Sequence, residues 1–161
     1  DHCVTGVQTC ALPICVMLGN LAIGFITIMI CLFLQTAILI WILRFYRSRY
    51  SSQESPSFWA GLKVIQGVMF LLLIGNLIQM AVWAQIFMTL GEFEEFGAAF
   101  YHSAVNFATL GYGDVVMSEK HKILGPLQAV NGALMIGVST GALMTAFQDV
   151  LNKTVQSKDP S

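Results

Sequence analysis

The sequence predicts an all-α membrane protein in which three transmembrane helices are present and the segment between the second and third re-enters the bilayer. Composition is the first reason: the 161-residue chain is 56% hydrophobic and 11% charged, with a mean hydropathy of +0.71, far too apolar for a soluble domain of this length. Charge placement is the second. No Asp, Glu, Lys or Arg lies between Asp1 and Arg44, between Lys63 and Glu92, or between Lys122 and Asp149. Each gap exceeds the ~20 residues that a spanning helix needs. The third reason is the stretch from Glu92 to His121, which is too long for a turn and too apolar in its middle for a solvated loop. A formal net charge of −1 leaves no basic excess to neutralise phosphates, so the expected partner is membrane lipid and not nucleic acid.

In chain order, residues 1–16 are expected to be non-native or disordered. The stretch "DHCVTGVQTCALPI" lacks a basic signal-peptide n-region and resembles the translated sequencing-adapter read-through at the ends of environmental gene fragments. On that reading the natural chain begins near Met17. If the segment is native, Cys3 and Cys10 are candidates to pair across a short loop in an oxidising compartment. Cys15 and Cys31 read as small packing residues of an apolar helix, and no metal-ligand spacing links the four cysteines.

Residues 17–43 are expected to form the N-terminal transmembrane helix, with its span from Leu18 to Leu43. The following loop, 44–58, carries Arg44, Arg47 and Arg49 against Glu54, with Lys63 beyond it, which makes it cytoplasmic by the positive-inside rule. Because the arginines gather at a helix end, they read as orientation signals and not as voltage-sensing charges. Three spans across the cell membrane (inner or plasma) then leave the N-terminus and residues 92–121 outside, and the tail, 150–161, in the cytoplasm. Ser55 and Pro56 mark the start of the second helix, and Trp59 is placed at the headgroup level. Its span, Leu62 to Leu90, is longer than ~30 Å of hydrocarbon requires, so it should tilt or project. The third span runs from Leu124 to Phe147.

Within the re-entrant segment, Phe93 to Ala108 contains no proline and predicts a short helix of about four turns. Glu94 and Glu95 fall near its first turn, at the positive end of its dipole. The other end runs into "TLGYGD", residues 109–114. Irregular backbone at membrane depth survives only if it is buried in protein or lines a watery path. Glycine reaches positive φ at little steric cost, so glycines at alternate positions can turn successive carbonyls to one side, which ordinary L-residues resist. A row of carbonyl oxygens can replace the water shell of a cation.

On these residues, the chain from Leu62 to Phe147 resembles the pore region of the two-transmembrane-plus-pore potassium channel family, and its first span resembles the additional N-terminal helix of some bacterial members. The resemblance implies a pore domain over 59–149: outer helix, re-entrant pore helix, selectivity filter and inner helix. It implies a potassium-selective channel that passes K⁺ passively, with K⁺ as the permeant ion and no cofactor. Residue by residue, it makes Thr109, Leu110, Gly111, Tyr112 and Gly113 the filter, with K⁺ held at Thr109, Leu110, Gly111 and Tyr112, and Asp114 at the outer mouth. Tyr112 should turn its ring away from the ion and brace the loop against the pore helix. Tyr101 and His102 should support the filter from that helix. His102, Ala108 and Leu110 depart from the family's commoner aromatic, threonine and valine, and those departures bear on inactivation and on K⁺/Na⁺ discrimination. One loop per chain requires four chains around an axis, hence a homotetramer.

Several smaller features have two readings. Glu92, Glu94 and Glu95, repeated fourfold, would lower the potential at the outer mouth, or else simply keep the turret solvated. Gly137 and Gly141 have the GxxxG spacing that lets helices approach closely, while Gly137 is also a candidate hinge. Asn131 is placed either as polar lining of a cavity or in a hydrogen bond to Gln79 or Asn76, which share a helix face. The tail is short and polar, so gating is expected in the membrane part unless a cytoplasmic end has been lost. A non-selective cation channel and a non-conducting membrane subunit are the alternatives in function. Secondary transport finds no inverted repeat, and an enzyme is not expected, since His2, His102 and His121 sit in no nucleophile arrangement.

Overall fold

The computed structural model describes residues 5–50 and 58–156, with side chains over 14–44 and 59–152. Four helices follow one another: α1 (Thr5–Tyr50), α2 (Phe58–Thr89), α3 (Phe96–Phe107) and α4 (Leu124–Gln156). Among the described residues there is no strand. The reason is the solvent: a spanning segment must satisfy its backbone hydrogen bonds internally, and without a closed barrel only a helix does so. Ile14–Arg44, Trp59–Thr89 and Leu124–Asn152 are long and apolar enough to cross a membrane, as predicted.

The helices run past their predicted limits. α1 includes residues 5–16, which were expected to be non-native or disordered, and continues through Tyr50, as nothing between Leu43 and Tyr50 is a glycine or proline. α4 likewise continues through the expected tail to Gln156. The proposed pairing of Cys3 with Cys10 and the start at Ser55 and Pro56 lie outside the described residues.

Two compact units emerge, each drawing on α1, α2 and α4. One comprises residues up to Cys31 together with Gln79–Ala133; the other comprises Leu32–Ile78 and the chain from Leu134 onward. The first unit holds α3 and the irregular loop. Its core is Cys31, Trp83, Phe87 and Leu124, with Ile23, Phe93 and Leu127 among the residues packed around it. The first part of α1, up to Cys31, belongs to this unit: a Cβ on Gly24 would lie 2.5 Å from the Leu127 side chain, and Asn20 Nδ2 donates to the Lys120 carbonyl at 2.5 Å. In the second unit Ile42, Val68 and Leu72 form the core. There Gln35 Nε2 donates to Ser139 Oγ at 3.0 Å.

α2 ends in a Schellman motif. Glu92 N–H reaches the Phe87 carbonyl (3.1 Å) and Gly91 N–H the Met88 carbonyl (2.9 Å), with Gly91 at φ +74°. Glycine at this place avoids the Cβ penalty of the left-handed conformation. α3 starts three residues later than predicted. Phe93 is held against Phe87 and His102, with ring centroids 6.4 and 5.3 Å apart, and Glu95 is extended as the N-cap (φ −109°, ψ 133°). Aromatic packing thus keeps 93–95 out of the helix.

Candidate functional site

The site begins where α3 stops. Leu110 N–H bonds to the Val105 carbonyl and Thr109 N–H to the Asn106 carbonyl, both at 2.9 Å. This repeats the Schellman geometry of α2, with Thr109 now in the C′ position. Thr109 has φ +57° and is the one non-glycine with positive φ among the described residues. A β-branched residue in the left-handed region is a genuine outlier, costing on the order of 1–3 kcal/mol. Such strain persists only where surrounding structure imposes it, and it marks functional sites.

Beyond Thr109 the left-handed conformation returns at every second residue, at Gly111 (φ +58°) and Gly113 (φ +74°), and not at Leu110 or Tyr112. Neither glycine has a neighbour within 4 Å of where a Cβ would sit. Their requirement is therefore conformational and not spatial. All six residues from Thr109 to Asp114 are exposed in the single chain.

α3 fastens the loop beyond this ribbon. Tyr101 Oη donates to Asp114 Oδ2 at 2.6 Å. His102 Nδ1 lies 2.8 Å from the Val115 carbonyl, and Asn106 Nδ2 lies 2.9 Å from His102 Nε2. A carbonyl only accepts, so His102 carries its proton on Nδ1, and Nε2 accepts from Asn106. Tyr101 and His102 are thus brought together on α3, each bonded to the chain just beyond the ribbon. Tyr112 is 66% exposed in the single chain, so its ring is not buried against α3 of the same chain. Within the chain, Tyr101 and His102 are the α3 residues whose polar atoms reach past the ribbon, to Asp114 and Val115.

The outer acids divide. Glu94 and Glu95 are exposed, while Glu92 is engaged: Oε2 accepts from Ser118 N–H (2.7 Å), and Oε1 from Ser118 Oγ (2.6 Å) and His121 Nδ1 (2.5 Å). Its side chain is 7% exposed, so it ties the end of α2 to the loop before α4. Burial pushes the Glu92 carboxyl up, but the bonds from Ser118 and His121 outweigh it and hold the group below its ordinary value. Asp114 is also held down, chiefly by the Tyr101 hydrogen bond, which in turn raises Tyr101.

Asn131 corrects the cavity-lining reading. It is fully buried within the single chain, where the Cys31 thiol lies against it and Trp83. A side chain enclosed by its own chain does not line a cavity shared between chains. Gly137 and Gly141 are exposed, and a methyl group added at either would meet nothing within 4 Å, so neither packs another helix of this chain. Among the described residues no group of three or more His, Cys, Asp or Glu side chains is placed to hold a metal ion.

Sequence reasoning missed three contacts here. Ser103, on α3, is fully buried; its Oγ donates to the Met80 carbonyl of α2 at 2.7 Å. Gln128 Nε2 of α4 donates to Ser103 O at 3.1 Å and to Ser103 Oγ. A Cβ on Gly132 would lie 2.0 Å from the Phe107 carbonyl oxygen, so the end of α3 sits directly on α4 backbone. The available signal was the presence of Ser, Gln and Gly in apolar runs, but composition does not say which faces meet.

A family model described as "Ion channel" matches residues 68–149, which takes in most of α2, α3, the irregular ribbon and most of α4. The chain belongs to this ion channel family. No curated protein and no solved structure matches it. With three helices able to cross a membrane, it is a multi-pass membrane protein of a channel family.

Proposed function

We propose that four copies of this chain assemble around an axis as a potassium-selective channel, passing K⁺ passively down its gradient. The observation that carries this reading is the alternation of left-handed backbone at Thr109, Gly111 and Gly113 at the end of a short buttressed helix. Residues of alternating handedness turn successive peptide groups to a common side. From four chains, the carbonyls of Thr109, Leu110, Gly111, Tyr112 and Gly113 and the Thr109 hydroxyl would ring a dehydrated K⁺, the arrangement that potassium channels use for selection. K⁺ is here the permeant ion, and no cofactor enters the reading.

Exposure of the whole ribbon in one chain supports the homotetramer, since a carbonyl ribbon at membrane depth must face protein or a watery path. Asp114, Glu94 and Glu95 then surround the outer mouth and raise local cation concentration. The pore domain is 59–149, preceded by a span over 17–43 within α1 and a cytoplasmic basic segment at 44–58 that begins as the end of that helix, with the N-terminus outside and the tail from 150 inside.

Reconstitution of the purified chain in liposomes tests the reading. Flux should follow a K⁺ gradient and be strongly reduced when Na⁺ replaces K⁺, and native mass spectrometry should give a fourfold mass. Equal Na⁺ and K⁺ flux would make the protein a non-selective cation channel. No flux from a fourfold assembly would make it a non-conducting subunit.

A further inference from the structure

We infer that Ser103 and Gln128 are positioning residues that set the axial position of α3, and through it the placement of Thr109 on the ion path. The inference rests on the potassium-channel reading and adds to it the residues that hold the filter in place. α3 has 12 residues and leads through its Schellman turn directly into Thr109. A slide of α3 along its axis would therefore carry Thr109 with it.

The supports already described oppose such a slide only indirectly or by close packing, as where Phe107 meets Gly132. Tyr101 and His102 bond to Asp114 and Val115, which tie α3 to the chain just beyond the ribbon and reach another helix only indirectly, through Ser118, His121 and Glu92. Apolar contacts around Phe87 and Phe93 are non-directional and resist a small displacement weakly. Ser103 differs because it bonds outward to two other helices. Its Oγ donates to the Met80 carbonyl of α2 and accepts from Gln128 Nε2 of α4, while the Ser103 carbonyl also accepts from Gln128. One hydroxyl thus joins α2, α3 and α4, and hydrogen bonds lose strength steeply with distance and angle.

The chemistry favours a role in register over one in stability alone. Gln128 and Ser103 are both fully buried, and Gln128 Oε1 has no hydrogen-bond partner among the described residues. A buried amide oxygen without a partner costs stability, and an apolar side chain of similar shape would avoid that cost. What an apolar replacement would not supply is a directional link to Ser103.

The test compares bi-ionic reversal potentials of the full-length tetramer with those of Ser103→Ala, Gln128→Met and the double variant in planar bilayers. Each single change should raise the Na⁺/K⁺ permeability ratio about two- to tenfold, the range that the net worth of one hydrogen bond allows. The double variant should be no worse than the more impaired single one, because the two side chains act through each other. Fourfold assembly should be retained. A selective wild-type channel with an unchanged ratio in Ser103→Ala overturns the inference, as do additive effects in the double variant. Loss of assembly in Ser103→Ala also overturns it, since the serine would then hold the fold and not the filter. Should Gln128→Met fail to assemble, Ser103→Ala alone decides. A wild-type channel that does not prefer K⁺ overturns the underlying reading as well, and that result is seen in the wild-type arm without the variants.

Discussion

Thr109 concentrates the conflict between local preference and function. Its side chain is β-branched, yet its φ is +57°, a conformation that costs about 1–2 kcal/mol for an ordinary L-residue. Thr109→Gly should relieve that strain and raise stability in K⁺-free buffer by about 1 kcal/mol, while removing the hydroxyl and weakening K⁺ selection. Chemical denaturation paired with liposome flux would check both halves, and a variant both less stable and fully selective would contradict the reading. Glu92 and Asp114 predict the pH response. Both carboxyls are held below their ordinary values in the folded protein, so their stabilisation is complete above the unfolded carboxylate pKa of about 4. It is lost as pH falls through the depressed folded values. Thermal unfolding of the wild type should therefore shift downward below about pH 4, and Glu92→Gln should show a shallower acid slope. These residue-scale features were partly visible: the glycines announced positive φ, but no rule in the sequence singled out Thr109 as strained or Glu92 as a buried tie.

Among the elements, α4 carries glycines with opposite surroundings. Gly132 has no room for a methyl group against the Phe107 carbonyl, whereas Gly137 has open space. Gly132→Ala should force α3 and α4 apart at a cost of about 1–3 kcal/mol and disturb flux. Gly137→Ala should leave the fold of the single chain intact, since alanine is the better helix former by about 1 kcal/mol. Its effect should appear in fourfold assembly if the residue packs against another copy, and in open probability if the helix bends there. Thermal stability, native mass and single-channel recording of the two variants separate these outcomes. From spacing alone the GxxxG pair at 137 and 141 was the more visible signal, yet it is Gly132 that meets another element within the chain. Periodicity identifies a face; it does not identify the face's neighbour.

At the scale of the whole molecule, the first part of α1, up to Cys31, packs into the unit that holds α3 and the irregular loop. Cys31 lies in the same core as Trp83, Phe87 and Leu124, Gly24 admits Leu127, and Asn20 holds the carbonyl of Lys120. A chain lacking α1 should therefore assemble poorly and unfold at a lower temperature than the full protein, as followed by light scattering during heating. Unchanged assembly and unfolding would show α1 to be dispensable. The Asn20→Leu variant, which removes one buried hydrogen bond, should lower stability by about 1 kcal/mol.

The sequence by itself determined the three spans and the irregular ribbon between the second and third, because lipid admits few backbone solutions and charges and glycines report them directly. Only the tertiary structure decided that Asn131 is enclosed beside Cys31, that Tyr101 and His102 bond past the ribbon to Asp114 and Val115, and that Ser103 joins three helices. In an apolar chain nearly every helix face can be buried in protein or exposed to lipid at similar cost. The choice between them is made by close fit and a few hydrogen bonds, which come from residues distant in the chain.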